Sequence, residues 1–175
     1  MKAVIFRRHG GPEVLEHADV PDPSAGSGEI LVRVKACALN HLDLWIRQGI
    51  PAYRIQLPHI SGCDVAGVVE RVGQDVTHVA VGDSVVLAPG LSCGACEWCR
   101  LGEDTLCVSY GIRGAKTGGG YAELTAASAR DALPLPPGLT FEEAAAFPLA
   151  FLTAWHMLVT RAKLQMGETI GRAHV

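Results

Sequence analysis

Four of the six cysteines lie within fifteen residues of one another, at Cys93, Cys96, Cys99 and Cys107. The two-residue spacers let a tight turn present neighbouring sulfurs, and the longer spacer lets the loop fold back to complete a tetrahedron. Four thiolates in this pattern are typical of a closed, structural Zn²⁺ site. Bacterial ferredoxins begin with the same spacing, but their fourth cysteine follows after about three residues and precedes proline. Here Val108 follows the fourth cysteine, and the spacing therefore predicts structural zinc.

A second set of potential metal ligands is spread along the first third of the chain. Isolated cysteines such as Cys37 and Cys63 are most often small, buried apolar residues. Together with His41, His59 and Asp64, they also offer the donor types of an unorthodox second metal site. This second site stays open as an alternative.

The composition favours a soluble globular protein. The 175 residues are 49% hydrophobic and 19% charged, with intermixed signs and a formal net charge of −3. Disordered chains are poor in apolar residues, so this composition excludes disorder as the main state. Nucleic-acid-binding proteins carry a basic surface for phosphates, and the intermixed charges here provide none. No apolar run reaches the ~18 residues of a membrane span, and Met1–Phe6 meets Arg7 too soon for a signal peptide. We therefore expect a cytoplasmic protein with no nucleic-acid or membrane partner.

The elements that position these side chains are predicted to be mostly strands. Glycine and proline recur through the first 140 residues, which is typical of short strands joined by turns. A change to helical period predicts a helix over Asn40–Gln48, capped by Asn40 and ended by Gly49. Residues 90–120 are expected to leave the sheet, and residues 133–138 to form an extended connector. The predicted strands are Lys2–Phe6, Glu29–Ala36, Val65–Val72, Ser84–Ala88 and Tyr121–Thr125.

The composition becomes helical after Gly138. Thr140 and Glu143 form a capping box that predicts a helix reaching Ala146. Pro148 opens a second predicted helix that ends near Lys163, and residues 167–169 resemble a turn into another strand. Residues 170–175 resemble the translation of a sequencing-adapter read-through, so we exclude them from the fold prediction.

Four motifs in order resemble the medium-chain dehydrogenase/reductase superfamily. They are Gly62–Gly67, Val81–Asp83, the four-cysteine segment and Gly119–Glu123. The resemblance implies a GroES-like, β-barrel-like catalytic domain over residues 1–138, with its zinc lobe at about 90–110. It implies that residues 139–169 begin a Rossmann domain for NAD(P), whose remainder is missing because the chain is truncated. The full-length parent is then expected to act on a small molecule and to form a homodimer or homotetramer.

The resemblance also allows the catalytic positions of the superfamily to be compared with the residues of this chain. Zinc alcohol dehydrogenases of this superfamily have metal ligands at the places that match Asn40, Cys63 and Leu149, and a proton-relay hydroxyl at the place of Leu42. An amide and an alkyl group are poor substitutes for those ligands, so we expect no catalytic zinc. Residues 38–49 resemble the quinone oxidoreductase and enoyl reductase branches instead. An alcohol dehydrogenase with a rearranged metal site and a non-catalytic zinc-stabilised fragment remain the alternatives.

The resemblance assigns candidate roles to four residues. Asn40 is expected to contact the substrate carbonyl or the nicotinamide ribose, in addition to capping its helix. Asp43 is a catalytic candidate, with a first-turn acid or an arginine partner as its simpler interpretation. Tyr53 or water is the candidate proton donor, with a tyrosine on a loop lid as the simpler interpretation of Tyr53. Thr153 matches a threonine near the nicotinamide. In this hypothesis NADPH delivers hydride to the β-carbon of an activated double bond.

Overall fold

The computed structural model describes residues 1–51 and 54–171, which form a mainly antiparallel β structure with short helices, as predicted. The helices are α1 (His41–Gln48), α2 (Glu97–Arg100), α3 (Phe141–Ala145) and α4 (Pro148–Trp155). The chain continues from α4 as a π-helical segment, His156–Arg161. The strands are β1 (Lys2–Ile5), β2 (Glu16–Asp19), β3 (Glu29–Ala38), β4 (Asp64–Val72), β5 (Ser84–Leu87), β6 (Gly90–Leu91), β7 (Gly111–Ile112), β8 (Leu124–Ser128) and β9 (Ala132–Pro134).

A five-stranded antiparallel sheet in the order β8-β3-β4-β5-β9 carries the main core. Its buried face is aliphatic and includes Ile30, Val32, Val65 and Leu87. β3 and β4 slip register twice, between Leu31 and Val32 and again between Val34 and Ala36. Such bulges bend a strand. After the second one Ala38 lies opposite Asp64, so the end of β3 leads into α1 beside the start of β4.

Two ribbons attach to this sheet. β1 pairs with β2, and single bridges join Ala3 to Ala122 and Phe6 to His59. α1 covers this region with Ile46, which is fully buried against Phe6 and Val14. The second ribbon, β6 with β7, closes the base of the segment that contains the four cysteines.

The C-terminal helices follow β9, which is the edge strand next to β5, and α3 packs on β3 and β4. The predicted capping box is confirmed, because Thr140 and Glu143 exchange two hydrogen bonds of 2.9 and 3.2 Å. α3 buries Ala144 and Ala145 against the sheet. α4 by contrast exposes more than half of the Phe151 and Trp155 surfaces. Among the described residues, no helix has the length and apolarity needed to cross a membrane.

Several predicted boundaries were wrong. The strand expected at Tyr121–Thr125 is β8, three residues later, because its place is set by pairing with β3. The expected connector begins as edge strand β9, where Pro134 is tolerated because its missing N–H faces away from the sheet. β2 was missed because Glu16–Asp19 shows no apolar alternation. No strand follows residue 167 in the described part of the chain.

Candidate functional site

The four clustered cysteines converge on one point. Their sulfurs all lie within 4.8 Å of one another, and no other group of three or more potential ligands converges in this way among the described residues. The Sγ atoms of Cys93 and Cys99 are 3.9 Å apart, and those of Cys96 and Cys99 are 3.5 Å apart. A tetrahedron with Zn–S bonds of about 2.3 Å has S···S edges of about 3.8 Å. The donor set and its geometry therefore fit zinc.

Backbone groups around the lobe support thiolate sulfurs. Cys107 Sγ accepts hydrogen bonds from the backbone N–H groups of Cys93 and Ser109, at 3.3 and 3.4 Å. Ser109 Oγ lies 3.4 Å from the same sulfur. The hydrogen bonds from the Ser109 side chain and from Cys93 lower the pKa of Cys107 to about 6. The loop thus favours the thiolate form of Cys107, the form that metal binding requires, whereas desolvation raises the pKa of Cys99 to about 11.

Asn40 lies where β3 passes into α1. It is the N-cap residue of α1, with φ −126° and ψ 157°, and its backbone N–H donates to Asp43 Oδ2 at 2.8 Å. The Asn40 side-chain nitrogen is directed to the start of β4, where it donates to Asp64 Oδ2 at 2.9 Å and to Cys63 Sγ at 3.4 Å. Both amide hydrogens are therefore engaged. An amide oxygen in this position would face the Asp64 carboxylate, which fixes the nitrogen there.

Asp64 joins β4 to α4. Its Oδ1 accepts the backbone N–H of Leu149 at 2.9 Å, in the first turn of α4. The residue is 1% exposed. Burial raises the pKa of this carboxyl, and the hydrogen bonds from Asn40 and Leu149 oppose that effect. The backbone of Leu149 thus has a role at this position, although its side chain is no ligand.

Asp43 is buried and accepts three hydrogen bonds. Besides the Asn40 N–H, its carboxylate accepts the Gly62 N–H at 3.1 Å and the Tyr121 hydroxyl at 2.7 Å. Asp43 is thus a first-turn acid of α1, one of its two simpler interpretations, and its hydrogen-bond partners are a tyrosine and two amides and not an arginine. Gly62 has φ +102°, and a Cβ there would lie 2.8 Å from Cys37 Sγ. Only glycine brings this amide to Asp43 without strain.

The second set of metal ligands does not converge. His59 is buried against Phe6 and its Nε2 lies 2.8 Å from the Gly114 carbonyl oxygen. His41 packs on Trp45 with ring centroids 4.7 Å apart. Burial raises the pKa of the Cys37 thiol to about 12 and also raises that of Cys63, where Asp64 adds a smaller effect. In the absence of a bound metal ion, burial thus favours the neutral form of both thiols.

Two further candidates make no hydrogen bond to this centre or fall outside the described residues. Thr153 is exposed on α4, on a helix that also exposes Phe151 and Trp155. Tyr53 is outside the described residues. Of the four predicted catalytic and coenzyme-binding residues, Asn40 and Asp43 are thus in contact with each other, and Asn40 also contacts Cys63 and Asp64 of the alternative metal set.

The model of the alcohol dehydrogenase GroES-like domain matches residues 26–137. The chain belongs to this family. The GroES-like chain is 40% identical over 166 residues to an alcohol dehydrogenase of Geobacillus stearothermophilus, covering 93% of this chain and 48% of the relative. It is 32% identical to a quinone oxidoreductase of Rattus norvegicus, covering 97% of this chain and 44% of the relative. A solved NAD-dependent alcohol dehydrogenase superposes on the chain with a TM-score of 0.91 and is 50% identical to it. The match covers 96% of this chain and 49% of the solved one.

These relatives place the GroES-like chain in the medium-chain dehydrogenase/reductase superfamily, as the motifs predicted. It spans about half the length of the curated relatives it matches.

Sequence reasoning missed two residues of the GroES-like chain. Tyr121 holds Asp43, and its position inside the motif Gly119–Glu123 was the available signal. Arg113 is only 2% exposed and forms an ion pair with Asp131, at 3.7 Å between Nη2 and Oδ2. Nothing in the local sequence distinguishes this arginine from a surface one.

Proposed function

We propose that the chain is the N-terminal part of an NAD(P)H-dependent reductase of activated C=C bonds, such as those of quinones, enones or enoyl-CoA thioesters. A structural zinc held by the four-cysteine lobe stabilises it, and no catalytic metal takes part. The observation that carries this proposal is the Asn40 amide, which presents nitrogen to Cys63 and Asp64. The similarity to the quinone oxidoreductase supports it.

The donor set at this centre does not suit a catalytic zinc. An open zinc site takes three protein ligands, and a ligand cysteine must be deprotonated. Cys63 offers a thiol, but its sulfur already accepts the Asn40 side-chain N–H at 3.4 Å. The Asn40 nitrogen has no lone pair to donate, and Leu149 contributes only its backbone N–H. We therefore derive no step through a metal here.

Asn40 is the group that would stabilise charge on the substrate oxygen. One of its N–H groups is held firmly by a carboxylate at 2.9 Å, and the other rests on a thiol at 3.4 Å. Sulfur is a weak acceptor, so a substrate carbonyl oxygen can displace it at small cost. As negative charge develops on that oxygen, the hydrogen bond strengthens.

The bound coenzyme supplies the hydride in this proposal. Most of its site belongs to the part of the parent beyond this chain, and Thr153 is the contact that α4 offers, since it is exposed. Asn40 is a second candidate contact, to the nicotinamide ribose. Tyr53 is the proposed proton donor, and Asp43 holds the start of α1 in place. The 175-residue chain alone is expected not to turn over.

Activity of the full-length parent tests this proposal. It is expected to oxidise NADPH with an enone or quinone and not with an aldehyde. Asn40→Ala is expected to lower kcat/KM by about 10²–10³-fold, the usual cost of an oxyanion donor. Gln48→Ala, which removes an exposed amide from the other end of α1, is the matched control and keeps full activity. Equal activity of the Asn40→Ala parent contradicts the assignment.

An alcohol dehydrogenase with a rearranged metal site is the second candidate, favoured by the 50% identity to a solved alcohol dehydrogenase. Elemental analysis separates the two. One zinc per chain, retained in Cys63→Ser, supports the reductase. Two zincs per chain, one of them lost in Cys63→Ser, identify the alcohol dehydrogenase.

We further propose that the parent is cytoplasmic and forms a homodimer or homotetramer. The clustered free thiols fit a reducing compartment. The exposed aromatic residues of α4, Phe151 and Trp155, offer an apolar surface for the rest of the assembly.

A further inference from the structure

We infer that Asp64 is a positioning residue that couples α4 to the Asn40 amide. Its two carboxylate oxygens are divided between two elements of the structure. Oδ1 accepts the Leu149 N–H in the first turn of α4, and Oδ2 accepts the Asn40 side chain at the start of α1, each at 2.9 Å. One buried carboxylate therefore connects α1 and α4 through the start of β4.

The surroundings of Asp64 show that these two hydrogen bonds are its stabilisation. The residue is 1% exposed, and within the described ranges no ion pair reaches it. A buried carboxylate without a cation persists only where donors compensate its lost hydration. The amide of Asn40 and the positive N-terminal end of α4 supply that compensation. Loss of either donor leaves charge uncompensated, so the arrangement is tightly specified.

Asp64 sets the orientation of the Asn40 side-chain amide. Because Oδ2 holds one amide hydrogen, the amide plane is fixed and the second hydrogen is directed at Cys63 Sγ. The second hydrogen is the one that a substrate oxygen would take. A shift of α4 would move Asp64 and with it this hydrogen. Asp43 does not orient the Asn40 side chain. Its carboxylate oxygens accept hydrogen bonds from the Tyr121 hydroxyl and from the backbone N–H groups of Asn40 and Gly62.

This inference rests on the proposed function only in treating Asn40 as a residue of the reaction site. The coupling itself is a property of the 175-residue chain and is measured without turnover. Loss of activity in Asn40→Ala tests the reaction, and amide exchange tests the coupling. The two can therefore fail separately.

The test is hydrogen exchange by NMR on the zinc-loaded chain. In the unmodified protein the Asn40 side-chain NH₂ and the Leu149 backbone amide are expected to be protected. Asp64→Asn places an NH₂ group where one donor now binds, and it removes the negative charge that strengthens the other hydrogen bond. Exchange at both positions is expected to accelerate about ten- to a hundredfold, the value of a hydrogen bond to a charged group. The core amide of Val69 in β4 is expected to remain protected.

Asp83→Asn is the matched control, because Asp83 also accepts a backbone N–H, from Ala80 at 2.8 Å, but in an exposed turn. It should leave Asn40 and Leu149 unchanged. If hydrogen exchange in Asp64→Asn accelerates equally at all amides of β4, the carboxylate only stabilises the fold, and the inference is overturned. Should that variant fail to fold, the unmodified protein decides: rapid exchange of the Asn40 NH₂ there also overturns it.

Discussion

The buried ion pair between Arg113 and Asp131 joins the base of the cysteine lobe to the sheet. Arg113 follows β7 and donates from Nη1 to the Ala126 carbonyl of β8 at 3.1 Å. Its Nη2 lies 3.7 Å from Asp131 Oδ2. The Nε and Nη2 atoms have no hydrogen-bond partner among the described residues. The perturbation that tests this junction is Asp131→Asn, which removes the counter-charge and keeps the shape.

We expect Asp131→Asn and Arg113→Met to lower the free energy of unfolding by different amounts. In Asp131→Asn the buried guanidinium keeps only one neutral acceptor, so we expect the free energy of unfolding to fall by about 2–4 kcal/mol. In Arg113→Met, Asp131 keeps Arg130, whose Nε lies 3.5 Å from Oδ1. The methionine also fills part of the vacated space. A smaller loss of about 1–2 kcal/mol follows. The double variant should lose less than the sum, because it leaves no buried charge unpaired.

Guanidinium unfolding of the zinc-loaded chain, followed by circular dichroism, measures these free energies. Asp19→Asn is the control. Its ion pair with Lys2 is short, at 2.6 Å, but exposed, and such pairs contribute little. The reasoning is refuted if Asp131→Asn costs no more than Arg113→Met, or if the two losses add fully in the double variant.

Three further results are expected. Removal of zinc by a chelator should unfold the lobe, residues 90–110, while the amides of β3 and β4 stay protected in hydrogen exchange, because the sheet has its own core; loss of both together would contradict this. Tyr121→Phe should lower the free energy of unfolding by about 1.5–3 kcal/mol in chemical denaturation, since it deletes a hydrogen bond to the buried Asp43; no change would show that the bond is unimportant. The raised pKa of Asp64 means that the folded state binds its proton more tightly than the unfolded state. Stability relative to Asp64→Asn should therefore increase as the pH falls from neutral toward the ordinary value of 3.8; a decrease would contradict the sign.

The sequence by itself determined the features that depend on local pattern. The cysteine spacing predicted one four-ligand cluster, and the sulfurs do converge. The capping box at Thr140 formed because both partners lie within one turn. Alternating and β-branched runs predicted the central strands, since a period of two places one face in the core.

Only the tertiary structure decided which side chains meet at the site. Asn40 and Asp64 are 24 residues apart, and they meet because two bulges bend β3 until Ala38 pairs with Asp64. Tyr121 reaches Asp43 across 78 residues. The orientation of the Asn40 amide follows from the charge of its partner. Contacts of this kind depend on strand register and on burial, which no local window of sequence contains.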